Sequence, residues 1–463
     1  MNFSETICAI ATAPGGAIGM IRVSGPDAIR ITDSIYKGVG GKSLSAAKPY
    51  TLSFGHIIGE KEEVVDEVLV SVFHAPHSYT GENSVEISCH GSAYILQTVM
   101  QLLLQHGCRT AEPGEFTQRA FLNGKMDLSQ AEAVADLIAS SSAATHRLAM
   151  SQMRGGFSRE LSQLRDQLLH LTSLMELELD FSDHEELEFA DRSELRTLAE
   201  KIEQVICHLA QSFRLGNAIK NGFPVAIVGE TNAGKSTLLN ALLHEDRAIV
   251  SDIHGTTRDV IEDTVNLGGI TFRFIDTAGI RETTDTIESL GIERSFQKME
   301  QAQIVLWLVD SQCAAEQIRT LSPQILPLCA DKKLVVVLNK ADLLAGASPA
   351  HLPELPEGVD VISISAREKL GLEQLQNLLI ATAQLPEVGE GDVVVTNLRH
   401  YEALTQALES IERVLQGMDQ GLSGDFISQD LRECLFHLAE IVGGEITTDE
   451  VLGNIFKNFC IGK

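Results

Sequence analysis

Over the first ninety or so positions the apolar residues fall in short runs broken by Gly, Pro and Ser: ICAIAT, AIGMIRVSG, YTLSFGHII, VVDEVLVSVF and SVEISCHG. Such runs predict strands and tight turns, and AYILQTVMQLLLQHG after them predicts a helix. From Met126 the period lengthens. In SRELSQLRDQLLHLTSLME the residues Leu161, Leu164, Leu168, Leu171 and Met175 recur at steps of three and four. That stripe lies on one helix face and is read as a packing seam rather than a cofactor site. Between about positions 221 and 384, strand-sized runs (PVAIVG, TFRFID, IVLWLVD, KLVVVLN, VISISA) alternate with helix-length connections, which predicts a doubly wound α/β unit. After Leu385 the chain reads as helical again, in NLRHYEALTQALESIERVLQ and ISQDLRECLFHLAEIVG.

The expected fold class is therefore multidomain α+β with an inserted α/β domain. Residues 1–123 form an N-terminal α+β domain, 124–221 the first part of an all-α domain, 222–384 the insert, and 385–463 the second helical part with a CIGK tail.

Composition narrows the function classes. At roughly 150 residues per domain, 463 residues allow about three domains, each able to bury a core. Hydrophobic residues at 44% and charged residues at 22% are ordinary for a folded chain. Thirty-six Lys and Arg stand against 64 Asp and Glu, a formal charge of -28. The summed field repels phosphodiester backbones, so any nucleic-acid contact is expected to be local or shared with a basic partner. The acidic stretch 176–188 reads as a solvated helix end or loop, with a partner-binding patch as the alternative. Eight scattered cysteines without a C-x-x-C pair argue against a zinc ribbon or redox dithiol and fit a reducing cytoplasm. No signal peptide and no membrane span are expected.

The chemistry is carried by GETNAGKS, 229–236, which follows the run VAIV and opens the helix TLLNALL. This is the strand-loop-helix context that a phosphate-binding loop requires. Gly229 and Gly234 let successive backbone N–H groups face phosphates, Lys235 reaches the β/γ oxygens, and the Ser236 hydroxyl ligates Mg2+. Asn232, Ala233 and Thr237 complete the loop and its first helical turn. Downstream comes DTAG: Asp276 can hold the magnesium shell through water, Thr277 and Ala278 follow it, and the Gly279 amide can sense the γ-phosphate. NKAD supplies Asn339, Lys340 and Asp342. A carboxylate at Asp342 accepts from the guanine N1–H and exocyclic amine, a donor pair that adenine lacks. Ser365, Ala366 and Arg367 are expected against the same base. Together the motifs specify GTP.

Between them, SDIHGTTRD resembles the first switch of the translation-factor-related GTPases that include Era and MnmE. Ser251, Asp252, Ile253, His254, Gly255 and Thr256 belong to that segment, and the resemblance makes Thr257 the second Mg2+ ligand beside Ser236. The residue after the DTAG glycine is Ile280, which cannot orient water as the glutamine of Ras-like switches does. The phosphate-loop Asn232 stands where this subfamily binds a monovalent cation, which can replace an arginine finger worth about 10³ to 10⁵ in rate. Read without that resemblance, Asn232 is a loop former.

The resemblance extends over essentially the whole chain. FCIGK at the C-terminus, with MIRVSGP, YTGENSVEISCHG and PGEFTQRAFLNGKMDL in the first third, is similar to the MnmE family of tRNA-modification GTPases. It implies K+ held by Asn232, Ser251, Ile253 and Thr256, pairing of GTPase domains across the nucleotide face, and Glu288 as the water-orienting residue. It makes residues 1–123 a tetrahydrofolate-binding-like and dimerisation domain, in which Arg22, Glu86 and Lys125, joined by Lys463, contact 5-formyltetrahydrofolate. Cations suit the glutamyl carboxylates of such a ligand and a carboxylate suits its pterin N–H edge; each residue alone also reads as a surface ion pair. Cys460 reads either as a buried side chain of a docked tail or as a thiol near substrate. The histidines of HAPH, 74–77, read as structural or solvent-facing, and Gly15, Gly16 and Gly19 as a tight turn.

The function implied is a K+-activated GTPase, working as a homodimer with the flavoprotein MnmG, which brings FAD. It adds an aminomethyl or carboxymethylaminomethyl group to carbon 5 of the wobble uridine of certain tRNAs. Two other functions are weighed: an Era-like switch in RNA or ribosome maturation, and a folate-dependent one-carbon transferase with a regulatory GTPase insert. The Era-like reading expects a basic RNA-binding module after the GTPase domain, and the tail here is helical without a basic GXXG clamp.

Overall fold

A computed structural model describes residues 5–13, 15–180, 192–230, 232–245, 263–275, 299, 302–344, 352–383, 393–444, 452, 455, 456, 459 and 462. The chain divides into two compact units, one of Met1–Ala139, Ala149–His208 and Glu402–Lys463, the other of Ser140–Leu148 and Leu209–Tyr401.

The first unit opens with β1 (Ile7–Ile10), β2 (Ile18–Ser24), α1 (Ala28–Ile35), β3 (Tyr36–Gly38), β4 (Thr51–Ile58), β5 (Val64–Phe73), β6 (Ser84–His90), α2 (Ala93–Gln105) and β7 (Arg109–Thr110). They build a seven-stranded sheet in the order β3-β4-β5-β6-β2-β1-β7, antiparallel except where β7 joins β1 in parallel. Alternation decides which face is covered: along β5, Val68, Val70 and Val72 point into the core while Glu67 and Leu69 point out. Ile31 and Ile35 of α1 and Leu96, Val99 and Leu103 of α2 close the buried face. This is the α+β layer that the short apolar runs predict.

Five helices follow: α3 (Glu115–Leu122), α4 (Leu128–Ala139), α5 (Ala143–Met153), α6 (Gly156–Asp180) and α7 (Arg192–Asn221). The predicted seam is real. Leu161, Leu164, Leu168, Leu171 and Met175 on α6 are all buried, and α6 packs in the first unit against a late helix over Gly424–Val442.

In the second unit come β8 (Phe223–Gly229), α8 (Lys235–Glu245), β9 (Asp263–Leu267), β10 (Ile270–Phe274), β11 (Ile304–Asp310), α9 (Ala314–Leu328), β12 (Lys333–Asn339), β13 (Asp360–Ser363) and α10 (Leu372–Thr382). The helices α11 (Leu398–Asp419) and α12 (Gly424–Val442) follow along the chain. The sheet order is β13-β12-β11-β8-β10-β9, all parallel except the edge strand β9, which pairs antiparallel with β10. Strands buried on both faces read as continuous apolar runs, and period two sorts them. Val225, Ile227, Leu306, Leu308, Val335 and Val337 meet α8 and α10 through Leu238, Leu242, Leu375 and Leu379. Ala226, Val228, Val305, Trp307, Val309 and Val336 meet Ile318 and Ile325 of α9 on the other side.

The five strands expected from the sequence are β8, β10, β11, β12 and β13. The edge strand β9 is an addition to them. Its hairpin turns on Gly268 and Gly269, both at positive φ, and that glycine pair is the signal for it in the sequence.

Candidate nucleotide site and the Arg22–Glu86 pair

The parallel strands β8, β11 and β12 end together, at Gly229, Asp310 and Asn339, with Leu308 opposite Gly229 and Asp310 opposite Asn339. Ligand sites in open α/β sheets lie at such carboxyl ends. The loop from Gly229 leads into α8, whose first residue is Lys235. A helix start exposes unpaired N–H groups and the positive end of the helix dipole, which together favour an anion.

Backbone geometry explains the glycines. Gly229 has φ +149°, and a Cβ there would stand 2.3 Å from the Leu308 carbonyl oxygen. Gly234 has φ +98°, and its Cβ would lie 2.2 Å from Asn339 Nδ2. Asn232, exposed, sits at φ +65°. The Lys235 ammonium turns back over the loop and donates to the carbonyls of Gly229 at 2.6 Å and Glu230 at 2.9 Å. Ala233 is buried, Ser236 is half-buried in the first turn of α8, and Thr237 beside it is exposed.

Asn339 is 3% exposed and joins three segments. Its Nδ2 donates to the Ala233 carbonyl at 2.8 Å, its Oδ1 accepts from the Ala366 backbone amide at 3.0 Å, and its own carbonyl accepts from both the amide and the hydroxyl of Ser311. Asn339, expected among the GTP-binding residues, thus holds the 229–236 loop to the segment 365–367. Ser365 is fully buried and its Oγ accepts from the Glu368 amide, Ala366 is buried, and the Arg367 side chain is exposed. Asp342 stands exposed in a short 3-10 turn, Ala341–Leu344, with its carboxylate open to solvent.

Lys340, at φ +63°, extends its ammonium to Asp310 Oδ2 at 2.6 Å. Burial works to raise the Asp310 pKa, but the hydrogen bonds from Lys340 and the Gln312 amide outweigh it and hold the carboxyl below its ordinary value. Sequence reading missed Asp310, Ser311 and Gln317, which meet the motifs only through tertiary contacts. The residues 251–257, 276–279 and Glu288, assigned to the switch segments, lie outside the described residues, as do Cys460 and Lys463.

In the first unit Arg22 and Glu86 stand opposite each other on β2 and β6. Arg22 Nη2 and Nε donate to Glu86 Oε1 at 2.8 and 3.0 Å, and Nη1 donates to the Gly462 carbonyl at 3.2 Å. The guanidinium lies 5.5 Å from the Tyr79 ring centre and 5.7 Å from that of Phe116. Lys125 donates to the Pro76 carbonyl at 3.0 Å, on the same 74–82 segment that carries Tyr79. Phe456 and Leu452 of the tail are buried against Leu128 and Ala131, and a Cβ on Gly462 would lie 2.7 Å from the Ile10 carbonyl oxygen. The tail thus docks beside Arg22. Beneath it, buried Arg119 binds Glu82 at 3.1 Å and buried Glu115 at 2.9 Å, an ion-pair network that sequence reading did not find.

Among the described residues no group of three or more His, Cys, Asp or Glu is arranged to hold a metal, and His74 meets the Ala47 carbonyl instead. The described cysteines are free thiols. No helix among the described residues is long and apolar enough to cross a membrane.

The chain matches the family profile of the GTP-binding protein TrmE N-terminus over residues 6–125 and that of the MnmE helical domain over residues 128–460. It is 67% identical to the tRNA modification GTPase MnmE of Bacteroides thetaiotaomicron, over 99% of each chain. It is 64% identical to the protein so named in Parabacteroides distasonis, over 99% of this chain and 100% of that one, and 51% identical to that of Flavobacterium johnsoniae, over 99% of each. Of solved structures, Aquifex aeolicus Era bound to GDP.AlF4- is 30% identical over 40% of this chain and 65% of that one, at a TM-score of 0.27. The FeoB G-domain of Methanococcus jannaschii is 25% identical over 35% of this chain and 98% of that one, at 0.25. End-to-end identity of this size, with both family profiles matched in turn along the chain, means that the protein belongs to the MnmE family of tRNA modification GTPases.

Proposed function

We propose that this GTPase of tRNA modification acts as a homodimer with the flavoprotein MnmG, which brings FAD, to add an aminomethyl or carboxymethylaminomethyl group to carbon 5 of a wobble uridine. A tetrahydrofolate carries the one-carbon unit, and GTP hydrolysis opens and closes the paired GTPase domains. The observation that carries the reading is the joining, through Asn339, of the phosphate loop at Ala233 to the base-side segment at Ala366. A nucleotide bound there would have its phosphate-side and base-side segments held by a single buried side chain.

The family implies Mg2+ with GTP. Ser236 in the first turn of α8 is a suitable hydroxyl ligand, with Thr257 as its partner, and the metal would neutralise charge developing on the phosphates. Asn232 beside the phosphate loop, with Ser251, Ile253 and Thr256, is assigned to K+, and Glu288 to orienting water. Asp342 is assigned to guanine. The proposed boundaries are 1–123 for the folate-binding and dimerisation domain, 124–221 and 385–463 for the helical domain, and 222–384 for the GTPase domain. In the first of these, Arg22 and Glu86 fit a folate: a cation and an anion side by side, half-covered, with the aromatic rings of Tyr79 and Phe116 beside the guanidinium. Lys125 and Lys463 would add positive charge for its glutamyl tail. The site of action is the cytoplasm, and the acidic balance assigns much of the RNA contact to MnmG.

Modified nucleosides of tRNA from a strain lacking the gene, complemented with wild type or with Arg22→Ala, test the reading. The expected result is loss of the wobble modification in the deletion, its return with wild type, and little return with Arg22→Ala. Unchanged nucleosides in the deletion would sink the tRNA role and favour a switch of the Era kind.

A further inference from the structure

The phosphate loop carries an acid at its second position, Glu230, in a place where negative charge competes with the ligand. The Glu230 carbonyl is 2.9 Å from Lys235 Nζ, so a Glu230 side chain free to rotate would bring its carboxylate to that ammonium or to the N–H groups of the helix start. It is instead held outward. Gln317, near the start of α9, donates from Nε2 to Glu230 Oε2 at 2.7 Å, while its Oε1 accepts from the Asp310 backbone amide at 2.9 Å. The Asp310 carboxylate in turn holds Lys340 at 2.6 Å. A single side-chain amide thus links the phosphate loop, the end of β11 and, through Asp310, the base-recognition loop. The two ends of the Gln317 amide are not interchangeable here, because a backbone donor occupies its acceptor oxygen and leaves the amino group as the end that can meet a carboxylate.

We propose that Gln317 is a positioning residue for nucleotide binding, holding the Glu230 carboxylate away from Lys235 and the phosphate-facing amides. The proposal rests on reading residues 229–236 as the phosphate cradle. It makes the Glu230–Gln317 contact a setting for affinity: whatever frees Glu230 weakens the hold on the phosphates.

The test uses the full chain and the fluorescent probe mant-GDP with Mg2+, at low and high salt. Gln317→Glu keeps the acceptor for the Asp310 amide but turns the donor facing Glu230 into a like charge. It is expected to weaken mant-GDP about tenfold at low salt, the order of one solvent-exposed unit-charge contact, and less at high salt. Glu230→Gln is expected to bind more tightly than wild type, and Gln317→Glu in that background to lose less than about twofold, since the repelling charge is gone. Gln317→Leu, which removes both hydrogen bonds without adding charge, guards against misfolding of the first variant and should show the same dependence on Glu230. Equal losses with and without the Glu230 charge, or no loss in either Gln317 variant while wild type binds, would overturn the proposal and leave the phosphate-cradle reading intact. Failure of wild type to bind mant-GDP would overturn both.

Discussion

Asn339 Nδ2 donates to the carbonyl oxygen of Ala233 across 106 positions of chain, at 2.8 Å and out of water. The bond ties the carboxyl end of β12 to the 229–236 loop, and the same side chain holds Ala366, so loss of the amide unfastens both segments at once. Asn339→Ala is expected to cost about 1–3 kcal/mol, the penalty for stranding a buried polar partner, and to weaken GDP as well. Thermal unfolding with and without GDP measures both. A variant as stable as wild type, with an undiminished shift on adding GDP, would show that the bridge is dispensable.

Gly234→Ala places a methyl 2.2 Å from Asn339 Nδ2 at a backbone angle that L-residues rarely adopt. Phosphate loop and base loop must then part. GDP binding is expected to fall by more than Asn339→Ala alone produces, and titration calorimetry of the two variants would show the order.

The exposed Asp342 carboxylate is assigned to guanine. Asp342→Asn should lower GTP affinity and shift preference toward XTP, because the amide presents a donor where guanine also donates. Unchanged GTP affinity would remove the residue from the base pocket.

Glu288→Ala and a change of cation address hydrolysis rather than binding. Replacing K+ by Na+ at equal ionic strength is expected to slow GTP turnover and leave ATP unaffected. Glu288→Ala is expected to slow turnover while sparing mant-GDP affinity. A variant with the wild-type rate would exclude Glu288 as the water-orienting group.

Acid stability reads out the buried cluster of the first unit. Burial works to raise the Glu115 pKa, but hydrogen bonds from Arg109, the Glu112 amide and Arg119 outweigh it and depress the folded value. A depressed carboxylate contributes stability that is present above its unfolded pKa, about 4.3, and is lost as pH falls through the folded one. Urea midpoints should therefore drop below about pH 4.3 more steeply in wild type than in Glu115→Gln. The variant is expected to be weaker near neutrality, and parallel curves would contradict the assignment.

Much of the molecule is legible in the sequence. Local patterns specify local structure: the leucine stripe on α6, the apolar runs of β8, β11 and β12, and the phosphate loop between strand and helix all follow from neighbours within a few positions. Motif spelling also names Gly229, Gly234, Lys235, Asn339 and Asp342, and resemblance names Arg22 and Glu86. What the tertiary structure decided is who meets whom over long separations. Arg22 and Glu86 lie 64 positions apart and pair because β2 and β6 are neighbours in register. Gln317 reaches Glu230 over 87 positions because α9 packs beside the strand that precedes the loop. Asn339, which its motif names only as part of a nucleotide-binding set, is the joint between three loops. The physical reason is that chain order records hydrophobic period and turn chemistry directly, whereas hydrogen bonds between distant loops exist only once the sheet has set their separation.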